Sequence, residues 1–213
     1  MMNKCDNEIL NYYDEEGNNI GKAERSEIHL KGLWHKTFQC WIVKKEEDQY
    51  YLLFQKRHPK KDTNPNLYDI SSAGHLQHDE DTEDGVRELK EELGIDVSFE
   101  KLIPLGVIKN VTRYKNYIDK EFNLLYLYIS DKPLQEYTIQ LDELTALVKI
   151  PLKDVIKLFN GDIHEVLSEG IEYDEHGQSN PVKKYLKLDD FVPHGNEYYN
   201  YVFSKIEEVL KEL

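Results

Sequence analysis

The stretch GHLQHDEDTEDGVRELKEELGI, residues 74–95, constrains this chain more tightly than any other part of it. Asp79, Glu80, Asp81, Thr82, Glu83 and Asp84 crowd acidic and capping side chains ahead of an apolar period, and Gly94 stands where a left-handed stop is wanted. The pattern predicts a helix of about three turns. At roughly 100° per residue, with Val86 at zero, Leu89 and Leu93 fall near 300° and 340°, whereas Glu91, Glu88 and Glu92 fall near 140°, 200° and 240°. The fold must therefore bury one stripe of this helix while a carboxylate cluster occupies the opposite side. Like charges at i and i+4, here Glu88 and Glu92, disfavour a helix by about 0.2–0.5 kcal/mol per pair. A divalent cation reverses that sign, because Mg²⁺ takes oxygen ligands in an octahedron and carboxylates at i, i+3 and i+4 offer such a grouping. The plainer alternative is a solvated face balanced by Arg87 and Lys90.

Around this helix the chain alternates strand-like and helical segments. The Gly- and Asn-rich DEEGNNIG, flanked by Ile9, Leu10 and Ile20, predicts an N-terminal hairpin. Residues 37–43 and 50–55 are β-rich apolar runs separated by KKEED, and they predict paired strands. A polar loop, RHPKKDTNPN, leads into the short strand LYDISSAG. Residues 102–114 and 121–129 predict two further strands with a turn at 115–120, and residues 144–150 another. Pro151 opens the helix PLKDVIKLF at a position where its missing N–H costs nothing. Residues 163–168 predict a short helix, 173–181 a loop, and 198–213 a final helix with Tyr198, Tyr201, Val202, Ile206, Val209, Leu210 and Leu213 at helical spacing. This order indicates a mixed α/β layer structure.

The motif resembles the Nudix box: Gly, five residues, Glu, seven residues, Arg-Glu-apolar-x-Glu-Glu-x-Gly-apolar. The chain supplies Gly74, Glu80, and Arg87-Glu88-Leu89-Lys90-Glu91-Glu92-Leu93-Gly94-Ile95. Six residues rather than seven separate Glu80 from Arg87, so either the preceding loop is one residue shorter or Asp79 replaces the first Glu. The resemblance implies a Nudix-type α/β/α sandwich, with residues 1–30 as an accessory segment, 31–160 as the catalytic domain and 161–213 as a helical extension packed on it. It implies Mg²⁺, or Mn²⁺, held by Glu88, Glu91 and Glu92, with Arg87 as an orienting ion-pair partner.

Outside the box the chain is most similar to the branch related to isopentenyl-diphosphate isomerase. The residues carrying this are SEIHLKGLWHKT at 26–37, Gln55-Lys56-Arg57 with Lys60, Lys61 and Pro65, Ala73-Gly74-His75, and Glu121 in KEFNLLYLY. That branch implies a metal site at His35, His75 and His29 with acids near Asp119 and Glu121, and diphosphate contacts at Arg57 and Lys61. An isomerase needs a paired acid and base across a carbon–carbon double bond. The family places a cysteine before the Gly-His, where this chain has Ala73. The resemblance therefore favours hydrolysis of a small-molecule diphosphate, with isomerisation and a catalytically silent binding module as alternatives. Glu91 and Glu121 are candidates for the base, with Glu143 behind them. Arg57, Lys61 and His75 are candidates for substrate binding. His58, His78, His164, His176 and His194 have no partner pattern and read as surface residues. Trp34, Trp41 and Tyr68 could stack on a base, although aromatic residues beside strands are more often core.

Charge narrows the partners. Lys and Arg total 27 against 41 Asp and Glu, a net charge of -14, which argues against a surface that grips extended nucleic acid. Cys5 and Cys40 make neither a disulfide framework nor a CxxC site, which fits a reducing cytoplasm. No run approaches the roughly 20 apolar residues needed to span a bilayer. The aromatic-rich C-terminal helix is a candidate homodimer interface.

Overall fold

The computed structural model describes residues 8–115 and 117–213, so Cys5 lies outside the described residues. In chain order the elements are β1 (Ile9–Tyr13), β2 (Asn19–Glu24), α1 (Arg25–Lys31), β3 (Trp34–Glu46), β4 (Gln49–Arg57), β5 (Tyr68–Asp69), β6 (Ser72–His75), α2 (Arg87–Leu93), β7 (Ile103–Arg113), β8 (Ile118–Ser130), β9 (Leu144–Pro151), α3 (Leu152–Asn160), β10 (Val166–Tyr173), β11 (Ser179–Leu186) and α4 (Asn196–Lys211).

β3 organises the rest. Its β-branched and aromatic residues suit a strand buried on both faces. On one side it runs parallel to β8, from Trp34 opposite Lys120 to Lys44 opposite Ser130. On the other it pairs antiparallel with β6 through residues 37–40 and with β4 through residues 43–46. β4 continues to β9, β10 and β11, β8 continues to β7, and the N-terminal hairpin joins β3 where Tyr13 meets Trp34.

Alternation along β3 sends successive side chains to opposite layers. Phe38, Cys40 and Ile42 pack with Leu89 and Leu93 of α2, and Leu53, Leu124 and Leu147 complete that layer. Trp41 and Val43 face the other way and pack with Phe54, Val155 of α3, and Tyr199, Val202 and Ile206 of α4. The expected α/β/α sandwich is present. The aromatic residues Tyr198, Tyr199 and Phe203 of α4 are buried against this chain's own sheet. Trp41 and Tyr68 are core residues too, and Trp34 packs on Phe122 with ring centroids 4.9 Å apart.

The motif helix begins as a 3₁₀ turn over Thr82–Val86, where the Asp81 N–H donates to Asp84 Oδ2 at 2.8 Å, and becomes α-helical at Arg87. It stops at Gly94, whose φ of 65° only glycine adopts readily.

The C-terminal third departs from expectation. Residues 163–168, expected to be helical, lead into β10, and the expected loop at 173–181 shrinks to a turn between β10 and β11, tied by the Asp174 side chain accepting from the N–H groups of His176 and Gln178 at 2.9 Å. Ile163, Val166 and Leu167 fall at i, i+3 and i+4, a spacing that suits a helix but spans too few residues to fix the period. Pairing with β9, where Gly170 lies opposite Val148, decides for the strand. No helix among the described residues is long and apolar enough to cross a membrane.

Gly170 marks a close approach, since a Cβ there would lie 2.2 Å from the Leu147 carbonyl oxygen and 2.7 Å from Val148 Cα. Gly170→Ala should therefore push β10 off β9 and cost about 2 kcal/mol in urea unfolding. Unchanged stability would mean that the β10–β11 hairpin is not integral to the sheet.

Candidate functional site

The apolar alternation of β3 breaks at its N-terminal end. His35, Thr37 and Gln39 share one face with Trp41, yet all are polar, and all are buried. The parallel register sets His35 opposite Glu121 and Thr37 opposite Asn123, while the antiparallel register sets Thr37 opposite His75. Cross-strand neighbours share a face, so the sheet gathers His35, His75, Asn123 and Glu121 with no help from loops.

His29 joins them from α1. The His29, His35 and His75 rings lie with centroids 5.1–5.5 Å apart, and His29 Nε2 and His35 Nε2 are 3.7 and 3.4 Å from Asp119 Oδ1. His29, His35 and His75 can each offer a ligand atom within 4.8 Å of the others, as can His35, Asp119 and Glu121. The Nε2 atoms of all three histidines and Asp119 Oδ1 are buried without a hydrogen-bond partner. Burying such atoms unpaired is costly, and a divalent ion would satisfy them together. Burial, helped by Arg25, lowers His29 to about 4 and His35 to about 3, and drives His75 well below its usual range. These imidazoles are thus neutral and ready to ligate. Burial raises Asp119 to about 6, and burial beside Asp119 raises Glu121 well above the carboxylate range.

The motif carboxylates form the second cluster. The Ala73 N–H donates to Glu92 Oε2 at 3.1 Å, and a Cβ on Gly74 would fall 1.9 Å from Glu88 Oε1. Gly74 is therefore glycine because a carboxylate lies against its α-carbon. Burial raises Glu88 to about 7 despite Arg87, and burial with the Glu88 charge raises Glu92 to about 8. Arg87 ties the cluster together. Its Nη1 donates to Glu88 Oε1 at 2.5 Å, its Nη2 to the His75 carbonyl at 3.0 Å and to Glu80 Oε2 at 2.9 Å, and its Nε to Glu80 Oε1. Glu80 also accepts from the Gln77 N–H at 2.8 Å, whereas Asp79 points into solvent beside His78. Of the two candidate acids, Glu80 is therefore the one that pairs with Arg87.

Glu91 does not join Glu88 and Glu92. It is 57% exposed, with Oε2 3.7 Å from Arg87 Nη1. Glu92 is only 7% exposed, because it faces β6 and not solvent. Lys61 is ion-paired with Glu143, and its charge is felt by both His75 and Glu92. Arg57 is committed to its own loop: Nε and Nη2 donate to the Thr63 carbonyl at 3.1 and 3.0 Å, Nη2 to Thr63 Oγ1 at 3.1 Å, and Nη1 to Asp69 Oδ2 at 2.9 Å.

Sequence reasoning missed several participants. Glu8 Oε2 lies 3.7 Å from Arg25 Nε and 4.0 Å from His75 Nδ1. The hairpin register, Ile9 opposite Glu24, was the signal that would have placed Glu8 beside Arg25. Tyr117 stacks on His29 and on Tyr114 with centroids 5.5 and 4.6 Å away. His194, expected on the surface, is instead half-buried with Nε2 2.7 Å from Asp69 Oδ1. Nothing local to PHGN announces that contact, which spans 125 residues of sequence. An open concavity of about 790 Å³ between Glu46, Tyr51, Leu152, Lys153 and Glu207 includes none of these residues.

Comparison with known proteins bears on the family and the fold. The NUDIX domain model matches residues 33–168. A Nudix hydrolase of Clostridium acetobutylicum is 46% identical over 93% of this chain and 97% of its own. An isopentenyl-diphosphate Delta-isomerase of Photorhabdus laumondii is 29% identical over 79% of this chain and 94% of its own. Among solved structures, a Deinococcus radiodurans protein superposes with a TM-score of 0.56 at 18% identity, over 72% of this chain and 90% of that one, which bears on the fold alone. With the glycine-framed helix, its arginine-centred carboxylates and a family match over most of the chain, this protein belongs to the Nudix hydrolase family.

Proposed function

We propose that the protein is a divalent-metal-dependent pyrophosphohydrolase that cleaves the anhydride of a nucleoside diphosphate derivative or a similar small diphosphate. The observation that carries this reading is the buried pair Glu88 and Glu92, held against main chain at Gly74 and Ala73 and shifted toward neutrality by burial, an arrangement that a cation completes. Mg²⁺ or Mn²⁺ bound there supplies neutralisation of the anhydride's negative charge and a lowered pKa for the attacking water. The neutral His29, His35 and His75 with Asp119 and Glu121 form a mixed nitrogen and oxygen donor set, which suits Mn²⁺ or Zn²⁺ better than Mg²⁺.

The chain's own groups divide the remaining work. Water adds to one phosphorus, the bridging P–O bond breaks, and a carboxylate takes the proton that the water loses. Glu121 and Glu91 are the candidates for that carboxylate, the first buried beside Asp119, the second solvent-facing on α2. Arg87 fixes Glu88 and the β6 backbone, and Lys61 and His75 line the approach for the non-reacting phosphate. We read residues 31–160 as the catalytic body, with flanking segments lending Glu8, Arg25 and His29.

Isomerisation is the reading that the Photorhabdus relative raises. Ala73 weighs against it, since this position has no group to move a proton. A panel of nucleoside diphosphates, nucleotide sugars, dinucleotides and isopentenyl diphosphate with Mg²⁺ or Mn²⁺ should show cleavage of at least one compound into the two phosphate products that flank its anhydride, reduced about a hundredfold or more by Glu92→Gln. Allylic isomer without phosphate release would replace hydrolase by isomerase, and no turnover of any compound would leave a binding module.

Metal binding should also be legible in stability. The carboxyls of Glu88 and Glu92 are raised to about 7 and 8, so without metal they favour folding when neutral. That contribution is complete below their ordinary pKa of 4.5 and is lost as pH rises through 7 and 8. Asp119 and Glu121 act in the same direction, while His29 and His35, lowered to about 4 and 3, stay neutral throughout. The rise in Tm on adding Mg²⁺ or Mn²⁺ should therefore be several degrees larger at pH 8.5 than at pH 5.5. Equal shifts at both values in differential scanning fluorimetry would separate metal binding from these carboxylates.

A further inference from the structure

Beside the two clusters lies a third set of polar groups that the Nudix motif does not account for. Asp69 of β5 is almost fully buried, and its carboxylate is shared: Oδ2 accepts from Arg57 Nη1 at 2.9 Å, while Oδ1 takes the Ile70 N–H at 2.8 Å and faces His194 Nε2 at 2.7 Å. Although burial opposes it, the charges of His194 and Arg57 hold Asp69 well below the usual carboxylate range.

His194 belongs to the segment between β11 and α4, beyond the residues matched by the family model. That segment is pinned to the sheet: the Val192 N–H donates to the Tyr68 carbonyl at 2.9 Å, and Tyr199 Oη donates to the Val192 carbonyl at 2.7 Å. The imidazole packs on the Tyr198 ring with centroids 4.9 Å apart, and Tyr198 Oη donates to Gln39 Oε1 at 2.7 Å. Gln39 lies on the same face as His35 and Thr37, so His194 stands at the end of the polar row that begins at the histidine cluster. In the same row Asn123 is 0% exposed, and its Nδ2 has no partner. The His194 charge lowers Asp119, and the Asp69 charge raises Glu121, which places the dyad within electrostatic reach of the site.

A histidine is redundant as a mere counter-ion here, because Arg57 already pairs with Asp69. With Nε2 committed to Asp69, one edge of the ring remains. Nδ1 has no hydrogen-bond partner among the described residues, and the side chain is 14% exposed. Arg57, by contrast, has Nε, Nη1 and Nη2 engaged.

We propose that His194, oriented by Asp69 and carrying protons on both ring nitrogens, is a substrate-contacting residue, whose Nε2–H donates to Asp69 and whose Nδ1–H donates to a phosphate oxygen of a diphosphate bound over the polar end of β3, β6 and β8. The C-terminal segment thereby completes a site that the motif and the histidine cluster leave open on one side. This inference rests on the diphosphate reading above.

Two measurements on the full chain test it, with Mg²⁺-pyrophosphate as the probe. His194→Gln retains an amide that can donate to Asp69, and so retains the brace, but has no N–H on the far edge. Calorimetry should show pyrophosphate affinity falling about ten- to a hundredfold in this variant, the scale of one charge-assisted hydrogen bond, with KM for a cleaved substrate rising more than kcat falls and Tm close to that of the parent. In the parent protein carrying ¹⁵N-labelled histidine, the His194 Nδ1 resonance should move as pyrophosphate is added. If the parent binds pyrophosphate while His194→Gln binds it equally and the resonance stays still, His194 is only a brace and the inference falls alone. If the parent binds no pyrophosphate, the diphosphate reading and this inference fall together.

Discussion

The Arg87 guanidinium is the interaction on which the rest of the site depends. Its nitrogens hold Glu80 from the loop before α2, Glu88 from α2 itself and the His75 carbonyl from β6. It thereby fixes the distance between the helix and the short strand on which Ala73, Gly74 and His75 lie. Without a cation at that point, Glu88 and Glu92 would face each other buried and uncompensated, and a pair of that kind neutralises or unfolds before it ionises. Burial thus makes the protonation of the pair depend on whatever positive charge lies beside it.

Behind this lies the sheet, whose central strand carries two kinds of surface. One end of the β3 face, Trp41 and Val43, is ordinary core, and the other, His35, Thr37 and Gln39, is polar yet equally buried. The same backbone register builds both. Packing that keeps α3 and α4 against the apolar end thus also holds the parallel alignment of His35 with Glu121, and the rigidity of the site is borrowed from the core.

Much of this was legible beforehand, for definite physical reasons. The motif helix was readable because its period, its acidic start and its glycine stop all agree on one element. The strand pairs were readable because β-branched runs with turn residues between them permit few alternatives. The hairpin of β10 and β11 was not, since Ile163, Val166 and Leu167 fall at helical spacing in a segment too short to fix a period, and pairing with β9 decided the matter from outside the segment. Glu8, Arg25, Asp69 and His194 escaped for a related reason. Each owes its place to a partner distant in sequence, and a single acid or histidine carries no period. Glu91 illustrates the converse: the helical wheel correctly separates it from Leu89 and Leu93, but a wheel cannot tell which part of the polar arc meets the neighbouring strand.

The hydrogen bond from the Ala73 N–H to Glu92 has a meaning apart from chemistry. β6 pairs with β3 along one side only, and its other side is a row of backbone donors and acceptors that could template a strand from another molecule. Glu92 closes that row with its carboxyl group, so a side chain of the motif helix also keeps the sheet edge from recruiting a neighbour. An amide oxygen at position 92 would preserve the seal and an alanine would open it, so changes at this one residue divide into those that keep the edge closed and those that render it adhesive.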